Sequence, residues 1–417
     1  MSVTTSSDEA FDAYSAALDL ALAQQDGAVE LLGRAVEADE GFALAWALLG
    51  LQQRARSDFS GGTSSMTTAL KLAEGLSDRE RSHLQALERF MAFDVALTES
   101  AIHAHLQDWP RDAVIVMQAH FLYNLFDPRP DRDRRLLALD EQVAPFYDGD
   151  WFMLGELAFA AEENAEYARA RDLAERSLAA NAMNGMATHP LAHVYLETAD
   201  VDAGSAWLGD WLAAWEQPSA FVCHLTWHLA LLRLAADDSK DAIRLLDEVI
   251  GYAGRSIGAL SDGASLAWRL HVDGVDALLP WEELVRLPDR PGFTFANAHH
   301  ALALAGIIDT EGLRAYSETL DSLATNGHPT AGKCAEFTRA LAELCENNTR
   351  RAADRLVVLW PEFRSFGGSH AQTEVFEDAT IAAVEAAGRQ HAASELLQMR
   401  LARRPSARDQ RWLARLP

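Results

Sequence analysis

Cysteine is scarce in this sequence. Its three copies, Cys223, Cys334 and Cys345, are odd in number and widely spaced. They give no disulfide framework and no CxxC pair, so a reducing compartment is expected. Positive charge is in deficit too: 36 Lys and Arg stand against 62 Asp and Glu, a formal net charge of −26. A surface of that sign repels phosphate backbones and anionic lipid, which sets nucleic acid and membranes aside as expected partners and otherwise reads as solubility. No apolar run approaches the ~18–20 residues needed to cross a bilayer. The first ten residues lack the basic start and apolar stretch of a signal peptide, which predicts a soluble cytoplasmic protein. Strand alternation is nearly absent. No glycine-rich phosphate loop follows a strand either, since Gly367-Gly368-Ser369-His370 lacks the lysine; it reads as a turn with Ser369 as a helix cap.

What is present is helix. Of the 417 residues, 49% are hydrophobic, enough for a large core, and the apolar positions recur with the helical period in Ala-, Leu-, Glu- and Arg-rich segments. The repetition is the strongest signal. Trp46-Ala-Leu-Leu49-Gly50 and Trp151-Phe-Met-Leu154-Gly155 each match the start of a tetratricopeptide unit. There the large residue fills the gap to a neighbouring helix and the glycine lets two helices approach closely. Second-helix patterns are read at Ala28, Leu32 and Ala35, at Tyr167, Ala170, Ala174 and Leu178, and over Ala242–Val249, Ala352–Leu359 and Ala392–Arg403. Loop chemistry marks breaks at Ser60–Ser65, Asp127–Arg135, Leu287–Gly292 and Thr325–Pro329. The expected fold is all-α: an α-α superhelix, a tetratricopeptide-like solenoid of antiparallel helix pairs. It is read as one continuous domain over 1–417, with clearer repeats in 1–180 and diverged pairs of unequal length in 181–417.

The residues suited to chemistry gather in the second half. His224-Leu-Thr-Trp-His228 places two imidazoles on one helical face, where they could share a metal. The motif lacks the glutamate of HExxH, so hydrogen-bonded pocket or core histidines are expected, and neither metal nor cofactor is assigned. In His189-Pro-Leu-Ala-His193, Pro190 suits a first helical turn, which predicts His189 at the cap. Trp207, Trp211 and Trp215 form an i, i+4, i+8 stripe that reads first as helix packing. Asp262, Arg269, Asn297, His299, His370, Gln372 and Glu374 stand before or inside apolar helices, where ionisable groups must pair or line a cavity.

Several of these stretches resemble the tetratricopeptide repeat protein 38-like family. They are Leu191-Ala-His193-Val-Tyr-Leu-Glu197, His224-Leu-Thr-Trp227-His228-Leu-Ala-Leu, Asp262-Gly-Ala-Ser265-Leu-Ala-Trp268-Arg269-Leu270, Phe295-Ala-Asn297-Ala-His299 and Gly367-Gly368-Ser369-His370-Ala-Gln372-Thr-Glu374-Val-Phe376. The chain departs from the family at Pro190, Asn297 and Thr373, where Ala, Asp and Arg are usual. The resemblance implies a helical-repeat fold and brings no established reaction.

The expectation is therefore a helical-repeat protein that binds a small molecule or peptide in a His-, Trp- and acid-lined cavity. His193, His224, His228, His299 and His370 would move protons, and Asp262 or Glu374 would orient an imidazole. Arg269 would pair with an anionic group, Trp227 and Trp268 would form walls, and Asn297, Gln372 and Glu374 would add polar contacts. One pocket requires the five histidines to converge within ~10 Å. The alternatives are a protein-interaction scaffold without catalysis, in which a homo-oligomer has a place, and a purely structural polar network.

Overall fold

A computed structural model of the chain describes residues 3–215, 220–252, 256–275, 279–286 and 293–416. Among the described residues every regular element is a helix, and successive helices pack as antiparallel pairs joined by short turns. The all-α helical-repeat fold is the one the chain adopts. It packs into two compact units, Met1–Asp127 with Asp131–Leu191, and Pro128–Pro130 with Ala192–Pro417.

In the first unit both Trp-Leu-Gly stretches open helix pairs. Trp46, Leu49 and Gly50 lie in Ala43–Ala55, which packs on Phe59–Lys71. A Cβ on Gly50 would come within 2.9 Å of the Gly62 carbonyl, and one on Gly62 within 2.7 Å of the Gly50 carbonyl. The two backbones therefore meet through a pair of glycines, and no side chain fits between them. This corrects the break expected at Ser60–Ser65, which is helical. Asp58 caps that helix by accepting from the Gly61 amide at 2.9 Å, and the glycines serve contact instead of a turn. Trp151–Glu163 pairs with Tyr167–Ala180, but Gly155 closes on the next segment, where a Cβ would come within 2.9 Å of the Asn184 side-chain nitrogen and 3.4 Å of the Ala187 amide.

The break expected at Asp127–Arg135 is half loop, since a helix runs from Arg132 to Val143. The turn at Thr325–Pro329 stands between Thr310–Thr325 and Ala331–Cys345. The expected break at 287–292 lies outside the described residues. His189 is not a cap: the helix Gly185–Glu197 starts earlier because the Asn184 side chain accepts from the Met186 amide at 3.0 Å, and Pro190 lies inside it.

The second unit is built from helices of unequal length, such as the 11-residue Thr349–Leu359 and the 17-residue His370–Ala386. Its core is aromatic. Phe337, Phe363, Phe366 and Phe376 meet edge-on or tilted, with centroids 5.2–6.1 Å apart, against Leu302, Leu341 and Val375. Ser369 and Gln372 form a reciprocal capping box at the start of His370–Ala386, after two left-handed glycines, Gly367 at φ 95° and Gly368 at φ 91°. The tryptophan stripe packs locally: Trp207 on Tyr195 at 5.6 Å and Trp211 on Trp215 at 5.2 Å.

Candidate functional site

The helix Ala220–Ala235 is buried along most of its length, and its 3.6-residue period brings His224 and His228 to one face with Trp227 beside them. Neighbouring helices supply His193 and Asp262. Asp262 lies in Ile257–Val272, a helix started by Ser256, whose hydroxyl accepts from the Ala259 amide at 3.2 Å.

These four side chains form a row. His193 Nε2 lies 3.2 Å from His228 Nε2, His228 Nε2 lies 3.0 Å from His224 Nε2, and His224 Nδ1 lies 2.8 Å from Asp262 Oδ2. An ionised carboxylate only accepts, so the last contact is an Nδ1–H donated by His224. His193, His228 and Asp262 are at most 3% exposed, and His224, with 14% of its side chain exposed, is the ring that reaches solvent. Trp227 is fully buried, stacks on His224 at 5.4 Å and meets His228 edge-on at 4.6 Å. Of the site residues expected from the sequence, His193, His224, His228, Asp262 and Trp227 thus come together.

The other expected site residues are engaged differently. His299 is held by the Phe295 carbonyl at 2.7 Å and packed on Phe295 and Phe376. Burial pushes its ring down to about 4, with the nearby Arg269 charge adding to the effect, so it is neutral at pH 7. His370 is the half-buried first residue of its helix and makes none of the three contacts of the row. Gln372 is spent on the capping box. The Asn297 carbonyl accepts from the Tyr316 hydroxyl at 2.9 Å. Trp268 packs in the core against Trp281 at 6.4 Å.

Arg269 and Glu374 have partners that composition did not suggest. Arg269 donates to the Ala371 carbonyl at 2.6 Å and to the Ser265 hydroxyl, lies 3.8 Å from Asp378, and stands 5.7 Å over the Trp227 ring. Its guanidinium is already held, which corrects the expectation that it waits for an anionic substrate. Glu374 is bound by Arg404 at 3.1 Å with Arg400 and Arg403 each 3.8 Å away, so it orients no imidazole. Burial alone would raise the Glu374 carboxyl, and these arginines hold it well below the usual range instead. Asp378 is shared by Arg400 at 2.5 Å and Arg408 at 2.9 Å.

These contacts belong to a buried ionic lattice that sequence reasoning missed. The signal was there: Glu374 and Asp378 are four apart, and so are Arg400, Arg404 and Arg408. A cavity of about 20 Å3 lined by Arg269, Glu374, Arg404 and Arg408 has room for about one water molecule, so it is too small for an organic ligand.

The first unit has histidine sites of its own, also unforeseen. Asp112 Oδ2 receives His83 Nδ1 at 2.9 Å, His105 Nε2 at 3.2 Å and Arg79 at 3.0 Å. His120 Nε2 lies 2.9 Å from Asp140, with its Nδ1 2.9 Å from Glu156. Burial would lower the His120 ring, but the two carboxylates outweigh it and push it up to about 10.

The buried thiols of Cys223 and Cys334 are raised by desolvation, which leaves them inert as nucleophiles.

No family model matches the chain. Its fold is similar to that of a human structure described as the IFIT1 dimer with m7Gppp-AAAA, with a TM-score of 0.46 and 12% identity over 96% of each chain. A structure of Naa15/Naa10 bound to HypK-THB matches with a TM-score of 0.26 and 15% identity, over 95% of this chain and 58% of that one. At such identities and TM-scores neither likeness says what this chain binds. Among the described residues no helix is long and apolar enough to cross a membrane.

Proposed function

We propose that this chain is a binding protein built on a helical-repeat frame, and that its ligand site is the row His193–His228–His224–Asp262 in the second unit. The single observation that supports this most is the meeting of three imidazoles, nitrogen to nitrogen, in a nearly dry place. A frame needs no such cluster: packing is served at lower cost by apolar side chains of similar volume. Two further features agree. The row has one end at His224, where a ligand can arrive from solvent. The buried indole N–H of Trp227 finds no acceptor among the described residues, and a bound water or ligand group would supply one. The ligand that fits such a site is small, and acid–base chemistry would fall to His224, the only ring of the three within its reach.

The test is thermal unfolding of the full chain against a panel of small organic molecules and ions. A ligand that binds only the folded state at about 100 times its Kd adds about 2.7 kcal/mol of stability. At least one compound should raise the unfolding temperature of the wild type and lose that effect in His228→Gln. If every stabilising compound acts equally on both proteins, the row is not the site.

A further inference from the structure

The ionic lattice of the second unit encloses a small cavity, and three arginines and one glutamate make up its charged wall: Arg269, Arg404, Arg408 and Glu374. Arg404 and Glu374 cancel. The Arg404 Nε lies 3.1 Å from the Glu374 carboxylate and its Nη2 2.5 Å, with Arg400 and Arg403 each 3.8 Å away. Arg408 spends Nε on Asp273 at 2.9 Å and Nη1 on Asp378 at 2.9 Å, but its Nη2 finds no acceptor among the described residues. A donor left over on a side chain only 7% exposed costs stability until something accepts from it. Arg269 lacks counter-charge instead of hydrogen bonds. Its acceptors, the Ala371 carbonyl and the Ser265 carbonyl and hydroxyl, are all neutral. The carboxylate beside it, Asp378, stays 3.8 Å off and serves Arg400 at 2.5 Å and Arg408 at 2.9 Å. Burial brings the Arg269 guanidinium down to about 10, and the pull of Asp378 and Glu374 does not restore it.

We infer that this cavity binds a monovalent inorganic anion, a halide such as chloride. The size fits. One water molecule needs about 10–15 Å3 on this measure, the cavity offers about 20 Å3, and chloride is only slightly larger than water. Organic acids and phosphate are too large. The donors fit as well. Arg408 brings its spare Nη2, and the Ser406 hydroxyl on the same wall accepts from the Asp409 amide at 3.1 Å and keeps its own hydrogen to give. Charge decides between an ion and a water molecule. A water would accept from Arg408 but leave Arg269 uncompensated. An anion serves both, and away from bulk water that attraction is strong. The rest of the wall, with Leu196, Leu231, Leu234 and Ala235, offers apolar side chains that accept nothing from a water; a halide needs no acceptor. The ion is a fixed part of the lattice, not a substrate. It ties Ser406 and Arg408, at the start of the last helix Ala407–Arg415, to Arg269 in Ile257–Val272. The site is separate from the histidine row and does not depend on it.

The experiment uses the full chain in chloride-free buffer. Sodium gluconate, whose anion is too large for the cavity, is replaced stepwise by sodium chloride or bromide at constant ionic strength. The unfolding temperature of the wild type should rise by a few degrees and level off, as a single saturable site requires. Arg408→Gln removes the spare donor and should abolish the response. Ala235→Val fills the cavity with every charge left in place, so it should also abolish the response, and it keeps the test open if Arg408→Gln does not fold. Crystals grown in sodium bromide should show one anomalous peak inside the cavity, in contact with Arg408 Nη2. The inference is overturned if halide and gluconate give the same unfolding curves, if Ala235→Val responds as the wild type does, or if the cavity holds a water molecule and no bromide.

Discussion

Both units bury histidines, and they satisfy them in opposite ways. In the first unit imidazole nitrogens face carboxylate oxygens: His83 and His105 on Asp112, His120 between Asp140 and Glu156. Opposite charges close these clusters from within, and nothing need be added. In the row of the second unit imidazole nitrogens meet one another, and His224 turns its Nδ1 to Asp262. A buried polar group is thus not by itself a sign of function; a cluster of like groups that reaches solvent at one end is the better one.

The largest expected effect breaks the first kind of cluster. Asp112→Asn removes the buried negative charge on which Arg79, His83 and His105 converge, and should cost about 3–5 kcal/mol in denaturant unfolding. His228→Gln should cost about 1–2 kcal/mol, since it removes buried contacts between rings and leaves no ion pair broken. Equal costs would erase the distinction.

Acidity separates the two environments next. His120 sits at about 10 against an ordinary value of 6.5. Its contribution is fully present below pH 6.5 and is lost as pH rises towards 10. His299 sits at about 4, so its contribution is present above pH 6.5 and is lost as pH falls towards 4. Each amounts to a few kcal/mol, at about 1.4 kcal/mol per pH unit between the two values. Unfolding free energies measured from pH 4 to 10 should show the alkaline loss disappear in His120→Gln and the acid loss shrink in His299→Gln. The same direction for both would contradict the assignment.

A smaller effect tests the repeat frame. Gly50→Ala drives a methyl group against the Gly62 carbonyl and should cost about 1–3 kcal/mol. Gly33→Ala, where a Cβ meets nothing, should change stability by less than about 1 kcal/mol and in the favourable direction. Thermal unfolding of the two variants checks the contrast.

Periodicity and punctuation made much of this legible. Trp46 and Trp151 marked real helix pairs, and the helices expected around Ala242–Val249, Ala352–Leu359 and Ala392–Arg403 are present. Ser60–Ser65 misled because glycines that allow close packing look like glycines that allow turns. Within the row, His224 and His228 were readable from their spacing, and His193 and Asp262 from their placement in apolar stretches. Arg269 and Glu374 were found as buried polar residues but given the wrong partners. Those partners, Asp378 and Arg404, stand 109 and 30 positions further along the chain, and no local pattern pairs side chains over such distances. The first unit's clusters escaped for the same reason, with Asp112 29 positions from His83.

The most direct measurement is thermal unfolding of the full chain and of His228→Gln against the same panel of small organic molecules and ions. The account predicts at least one compound that raises the unfolding temperature of the wild type and not of the variant. Compounds that stabilise both proteins equally, with none that separates them, would contradict it.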